Sequence, residues 1–175
     1  MLQIGSVVDG KYKVLSIIGQ GGMSVVYLAL NERANKTWAI KEIRKEGVQD
    51  FSTVKKGLIA EIDILKNLNH KYLPSIVDII DDADTFLIVM DYIQGKSLHT
   101  ILKEKMEQEG KPISLEDTIS WGKQLCDVLY YLHTRPNPII YRDMKPANVM
   151  LRPNGEIALI DFGTARVFKS GNSED

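Results

Sequence analysis

Between residues 12 and 90 the apolar side chains fall into five short runs of strand character, interrupted by one stretch of helical period. Tyr12, Val14 and Ile17-Ile18 form the first run, and Val25-Val26-Tyr27-Leu28 the second, separated by a glycine-rich turn. Thr37-Trp38-Ala39-Ile40-Lys41-Glu42-Ile43, rich in β-branched and aromatic residues, makes the third. Ile76-Val77-Asp78-Ile79-Ile80 and Phe86-Leu87-Ile88-Val89-Met90 flank an acidic turn as the fourth and fifth. Within residues 52–68, Leu58, Ile62, Leu65 and Leu68 recur at helical spacing, and Ile59 broadens the stripe. Tight turns join antiparallel neighbours, so this half of the chain predicts a five-stranded antiparallel sheet with one helix.

After Gly95 the period changes. A short helix is expected from about Ser97, and Ser114 with Asp117 three residues on resembles a capping box that starts a longer one. Leu115, Ile119, Leu125, Leu129 and Leu132 are expected on one face of that helix, which ends before Pro136. Val149-Met150-Leu151 and Ile157-Ala158-Leu159-Ile160 read as short strands around an Asn154-Gly155 turn. The expected class is therefore α+β, in two lobes: residues 1–93 as the sheet lobe and 94–175 as a mainly helical, incomplete second lobe.

Bulk properties narrow the function by exclusion. Twenty-two Lys+Arg against 23 Asp+Glu give a formal charge of -1, so no broad field marks a nucleic-acid partner or an anionic membrane. The single cysteine, Cys126, precludes an internal disulfide and fits a reducing compartment, and it is expected to pack against its helix's stripe. With no apolar run of membrane-spanning length, the expectation is a cytoplasmic chain whose anchor, if it has one, lies outside this sequence. His70, His99 and His133 lack ligand spacing, and the acidic run at Asp78, Asp81, Asp82 and Asp84 lacks the glycine and terminal glutamate of a calcium loop.

Three features carry chemistry before any family is considered. Gly19, Gln20, Gly21, Gly22, Met23 and Ser24 form a turn whose backbone N–H groups can approach phosphate oxygens closely. Its strand-turn-strand setting differs from dinucleotide fingerprints and Walker loops, which run into a helix. Taken alone it is an ordinary hairpin turn. Lys41, on a half-buried strand, needs an anionic partner, and Glu61 on the following helix is the best placed; taken singly, each reads as a solvated surface charge, and the two gain weight only together.

The third feature is Ile140-Tyr141-Arg142-Asp143-Met144-Lys145-Pro146-Ala147-Asn148-Val149, followed by Ile160-Asp161-Phe162-Gly163. These segments resemble the catalytic loop and the Asp-Phe-Gly metal motif of protein kinases, in the right order after a glycine-rich loop, a strand lysine and a helix glutamate. The resemblance runs from about residue 12 to residue 166 and is to the bacterial, Hanks-type Ser/Thr kinases. It implies ATP and Mg²⁺ as cofactors, with Mn²⁺ as a second candidate metal, and a Ser/Thr-bearing protein as substrate. Gly19 to Ser24 would cover the ATP phosphates, and Lys41, held by Glu61, would orient the α- and β-phosphates. Val26, Ala39 and Met150 would sandwich the purine, with Met90 beside it and Asp91, Tyr92 and Ile93 offering hinge backbone. Asp143 would accept or orient the substrate hydroxyl proton, Lys145 would stabilise the γ-phosphoryl group, and Asn148 and Asp161 would hold metal.

Two positions depart from the family pattern: Tyr141 stands where histidine is usual and Ser24 where a third glycine is usual. Tyr141 is expected to stack with Leu65 and Phe162. The resemblance also implies further helices after the metal motif. Without them the chain is expected to be a truncated core with impaired turnover that self-associates through exposed apolar surface. A nucleotide-binding or protein-interaction module without turnover is the alternative reading, and Asp143-dependent phosphate transfer separates the two.

Overall fold

The computed structural model describes residues 1–21, 24–43, 56, 59, 62–63, 66–82, 86–161 and 166–167. Its contacts divide the chain into two units, one made of Met1–Ile59 and Ser75–Tyr92, the other of Ala60–Pro74 and Ile93–Asp175.

The first unit is an antiparallel sheet of strands β1 (Val7–Val8), β2 (Tyr12–Gln20), β3 (Ser24–Asn31), β4 (Lys36–Ile43), β5 (Ile76–Asp81) and β6 (Phe86–Asp91) in the order β1-β2-β3-β4-β6-β5. The five expected strands are present, and β1 adds a sixth. Its turn at Asp9-Gly10 has left-handed φ at both residues (47° and 61°) and closes with the Lys11 N–H donating to the Val8 carbonyl at 3.0 Å. An Asp-Gly pair is a hairpin signal in its own right. A strand of only two residues gives too short a run for alternation to reveal.

On β3, Val25, Tyr27 and Ala29 are buried while Ser24, Val26 and Leu28 are half-buried, the period of two that a sheet with one core face imposes. Tyr12, Val14, Val25, Tyr27, Ala29, Ile40, Leu87 and Val89 form that core with Val8. Each of the Val, Ile and Leu side chains, fully buried, favours folding by about 1.5–3 kcal/mol. Of the helix expected within residues 52–68, Lys56, Ile59, Ile62 and Asp63 are described and helical, and Ile62 is buried. Leu58 and Leu65 lie outside the described residues.

The second unit contains β7 (Lys96–Ser97), α1 (Leu98–Glu109), α2 (Leu115–His133), β8 (Ile139–Ile140), a 3-10 turn (Pro146–Asn148), β9 (Val149–Leu151), β10 (Ile157–Leu159) and β11 (Arg166–Val167). Both helix starts fall where the sequence puts them. Ser97 Oγ accepts from Thr100 N at 3.1 Å, and Ser114 Oγ accepts from Asp117 N at 3.0 Å. Such caps satisfy orphan N–H groups of the first turn. Strands β10, β9 and β7 form one small sheet, and β11 pairs with β8.

Helix α2 buries only part of its apolar stripe, and it corrects the expectation for Cys126. Leu132 and Val128 are fully buried, whereas Leu115 and Ile119 are 76% and 47% exposed, so only the C-terminal half of the apolar stripe enters the core. The physical reason is where the helix is held: Gln124 accepts from Ile157 N (2.9 Å) and donates to the Gly155 carbonyl (3.1 Å), tying α2 to β10 from its middle onward. Cys126, two residues from Val128 and therefore well round the helix from it, is exposed rather than packed.

Candidate active site

Strand register brings the first group of expected site residues together on one sheet face. Val26 lies opposite Lys41, Leu28 opposite Ala39, Ala39 opposite Met90 and Lys41 opposite Ile88. Paired residues share a face, so Val26, Ala39, Lys41 and Met90 line the side opposite the Tyr27–Ile40 core. Gly19 sits across from Val26 and Gln20 across from Val25, at the end of a β2 strand whose register shifts twice, between Val14 and Ser16 and between Ile17 and Gly19. The Gly21 N–H donates to the Ser24 carbonyl at 2.8 Å and closes the turn. Gly22, Met23 and Glu61 lie outside the described residues.

Folding gives no reason for glycine at positions 19 and 21. A Cβ at Gly19 would meet the Val26 side chain at 3.6 Å and one at Gly21 would meet Ser24 Oγ at 3.7 Å, both ordinary contacts, and neither residue has a left-handed φ. Without side chains at these positions the backbone of the turn is open to close approach from outside. Gly95 is the opposite case: its φ is +147°, and a Cβ there would stand 2.0 Å from the Leu151 carbonyl oxygen. At that position the chain itself demands glycine, because Lys96 and Ser97 must pair with Leu151 and Met150.

Asp91 closes the end of β6. Its N–H donates to the Ser75 carbonyl and its Oδ2 accepts from Ser75 N, each at 3.0 Å, while Lys36 Nζ stands 3.5 Å from Oδ1. In the second unit Ile93 is buried and Met150 half-buried.

The second unit assembles the other group. The Asp143 N–H donates to the Tyr141 carbonyl (2.9 Å), and the Asn148 N–H donates to the Lys145 carbonyl (2.9 Å), folding the loop onto itself. Asn148, buried, donates both amide hydrogens to Asp143: to the main-chain carbonyl at 3.0 Å and to Oδ2 at 2.8 Å. Lys145 Nζ joins the same Oδ2 at 2.7 Å. Its donated hydrogen bond, helped by that of Asn148 and opposed by partial desolvation, holds the Asp143 carboxyl below the usual aspartate range. At neutral pH the group is an ionised acceptor. Both donors use Oδ2, which leaves Oδ1 without a hydrogen-bond partner among the described residues.

The Ile160 N–H donates to the Asn148 carbonyl at 2.9 Å, so the chain passes directly from the loop's buried asparagine to Asp161. Asp161 has φ +66° and Arg142 φ +62°. Left-handed conformations outside glycine concentrate at functional sites. With both Nδ2 hydrogens committed, Asn148 turns its Oδ1 away from Asp143, and that oxygen and the Asp161 carboxylate are hard oxygen donors of the type Mg²⁺ takes in ones and twos. Chemically, these two donors fit a divalent ion.

Sequence reasoning missed the attachment of Tyr141. This side chain is 2% exposed and its hydroxyl donates to the Ile160 carbonyl, linking the catalytic loop to the residue before Asp161. A buried tyrosine needs a partner for its hydroxyl, which is the signal that could have located the bond. Phe162, its expected stacking partner, lies outside the described residues.

A family model described as Protein kinase domain matches residues 12–175. The chain belongs to the protein kinase family. Among relatives, it is 32% identical over 161 residues to the serine/threonine-protein kinase PknD of Chlamydia felis, a match covering 89% of this chain and 17% of that protein. It is 31% identical over 167 residues to the serine/threonine-protein kinase PrkC of Bacillus subtilis, covering 95% of this chain and 24% of that one. A probable serine/threonine-protein kinase of Clostridium perfringens is likewise 31% identical, over 95% of this chain and 23% of its own length. The chain thus spans about a fifth of the length of these curated relatives, and its kinship is with bacterial Ser/Thr kinases. None of the described helices is long and apolar enough to cross a membrane.

Proposed function

We propose that this chain carries the catalytic residues of an ATP-dependent kinase acting on Ser or Thr hydroxyls of proteins. The observation that carries the reading is the Asp143 carboxylate, fixed through Oδ2 by Lys145 and Asn148 with Oδ1 left to receive a substrate hydroxyl. In the transfer, the hydroxyl oxygen bonds to the γ-phosphorus as the bond to the ADP oxygen breaks, and the hydroxyl proton passes toward Asp143. A depressed pKa makes Asp143 a weak base, which suits orienting the hydroxyl and taking its proton late.

Lys145, already beside Asp143, follows the transferring phosphoryl group and offsets its charge. Asn148 Oδ1 and Asp161 would hold Mg²⁺, with Mn²⁺ as the second candidate. When bound, the ion supplies positive charge to the phosphate oxygens. The glycine turn, with Lys41, Val26, Ala39 and Met90 on the sheet face opposite the Tyr27–Ile40 core, is assigned to the nucleotide, and Lys41 orients its α- and β-phosphates.

Transfer of radiolabel from γ-labelled ATP to a generic Ser/Thr-containing protein tests the reading. We expect Mg²⁺-dependent label in the protein, reduced by at least about a hundredfold in Asp143→Asn, the scale of a lost acid–base group. Nucleotide binding with no Asp143-dependent transfer would overturn it in favour of a module without turnover.

A further inference from the structure

The kinase reading leaves a largely enclosed histidine without a task. His70 is 13% exposed, in the loop before β5. Its Nδ1 accepts the Tyr72 N–H at 3.3 Å, and its ring lies 4.8 Å from the Tyr131 ring and 5.3 Å from the Tyr72 ring. The loop is held on both sides. Tyr131 Oη accepts from Asn69 N (2.9 Å) and from Arg135 Nη1 (2.7 Å), Arg135 Nη2 donates to the Asn67 carbonyl (3.2 Å), and Arg152 Nη1 donates to the Lys71 carbonyl (2.9 Å).

One peptide further, the loop reaches the catalytic segment. The Tyr72 carbonyl accepts from Leu159 N at 2.9 Å; Leu159 ends β10; Ile160, next in the chain, donates its N–H to Asn148 and accepts from Tyr141; Asp161 follows. We infer that His70 is a positioning residue for Asp161: its neutral imidazole, by accepting the Tyr72 N–H, fixes the Lys71–Tyr72 peptide and so, across the Tyr72 Cα, steers the next peptide, whose carbonyl anchors Leu159. The inference rests on the reading of Asp161 as the metal-binding carboxylate.

The bond exists only while Nδ1 is unprotonated. In the imidazolium both ring nitrogens are donors, and Nδ1–H would face the Tyr72 N–H. The charged groups around the ring are Asp127 of α2, whose Oδ2 is 3.8 Å from Nε2, and Lys71 of the same loop, which shares that carboxylate at 3.9 Å. Among the described residues, Tyr131 of α2, carrying Arg135, and Tyr72 complete the titratable surroundings. Desolvation favours the neutral ring, Asp127 opposes it and Lys71 reinforces it, so the balance lies on the neutral side.

The test uses the ¹⁵N-labelled chain between pH 5 and 8, following the His70 ring together with hydrogen exchange at Leu159 and Ile160, corrected for intrinsic rates. Exchange at Leu159 should accelerate about three- to tenfold as pH falls through the His70 midpoint, the scale of one lost hydrogen bond. His70→Asn, whose side-chain oxygen can accept from Tyr72 without titrating, should hold Leu159 protected throughout. His70→Leu should show the acid-state exchange at every pH. Exchange that ignores the His70 titration, or an acid acceleration that persists in His70→Asn, would overturn the inference. Radiolabel transfer run alongside separates it from the functional reading. Loss of the linkage with Asp143-dependent transfer intact sinks the role of His70 alone, whereas a linkage present without any transfer upholds that role and sinks the kinase reading.

Discussion

Glu42 and Lys41 are adjacent in sequence and opposite in fate. On β4 successive side chains point to opposite faces, so Lys41 lies on the Val26 side while Glu42, 5% exposed, enters the core. There it accepts from the Tyr27 hydroxyl at 2.7 Å and from Leu2 N at 3.1 Å, with the Met1 nitrogen 3.2 Å away. A slip of one residue would bury the lysine and expose the glutamate, so this carboxylate fixes the register that presents Lys41. Burial pushes its pKa up, but the Tyr27 and Leu2 donors and the Met1 ammonium outweigh burial and leave it below the ordinary glutamate value. A folded-state pKa below the unfolded one contributes stability that is present above about pH 4.5 and lost as pH falls through the folded value. Tyr27→Phe removes a hydrogen bond to a buried charge and should cost about 1.5–3 kcal/mol at pH 7. The variant's carboxyl then protonates more readily in the folded state, so the deficit should shrink toward pH 4. Urea unfolding at both pH values checks this, and a deficit independent of pH would refute it. None of it was legible in Ala39-Ile40-Lys41-Glu42-Ile43, because alternation alone does not say which of two neighbouring charges has partners inside.

At the level of elements, the sequence was most informative where local chemistry decides. Ser97 and Ser114 begin their helices because a hydroxyl there satisfies a first-turn N–H, and Asn154-Gly155 turns the chain because Gly155 takes φ +82°. Contacts with distant residues decide the rest. The sequence marks Leu115 and Leu132 as equivalent on the α2 stripe, yet Gln124 holds the helix only from its middle, and the two leucines part ways. Gly95 looked like a pattern breaker and is a packing requirement. Gly95→Ala would force the Cβ against the Leu151 carbonyl at a φ that side chains avoid, separating β7 from β9. We expect a loss of at least about 2 kcal/mol by thermal or denaturant unfolding. Gly19→Ala, by contrast, should leave stability within about 0.5 kcal/mol of wild type while weakening nucleotide binding.

For the molecule as a whole, the catalytic loop was legible because five motifs occur in one order. A bound ligand distinguishes an aligned carboxylate from a working one. Anything that binds the folded chain stabilises it by mass action, about 2.7 kcal/mol at a hundred times its dissociation constant. For a chain of this size that corresponds to roughly 5–10 °C in Tm, measured above pH 7 because the near-zero net charge and a pI of 6.3 favour association near neutrality. Mg-ATP should raise the melting temperature, and ATP with a chelator should raise it less. The difference between the two isolates the metal, and in Asp161→Asn it should disappear while the chelated increment survives. An Asp161→Asn chain that keeps the full metal-dependent increment would remove Asp161 from the metal site, even if Asp143-dependent transfer had already been observed. The two measurements depend on different oxygens: Asp143 has its Oδ2 occupied by Lys145 and Asn148 and can act as a proton acceptor with no metal contact. Asp161 enters the proposed function only through the ion.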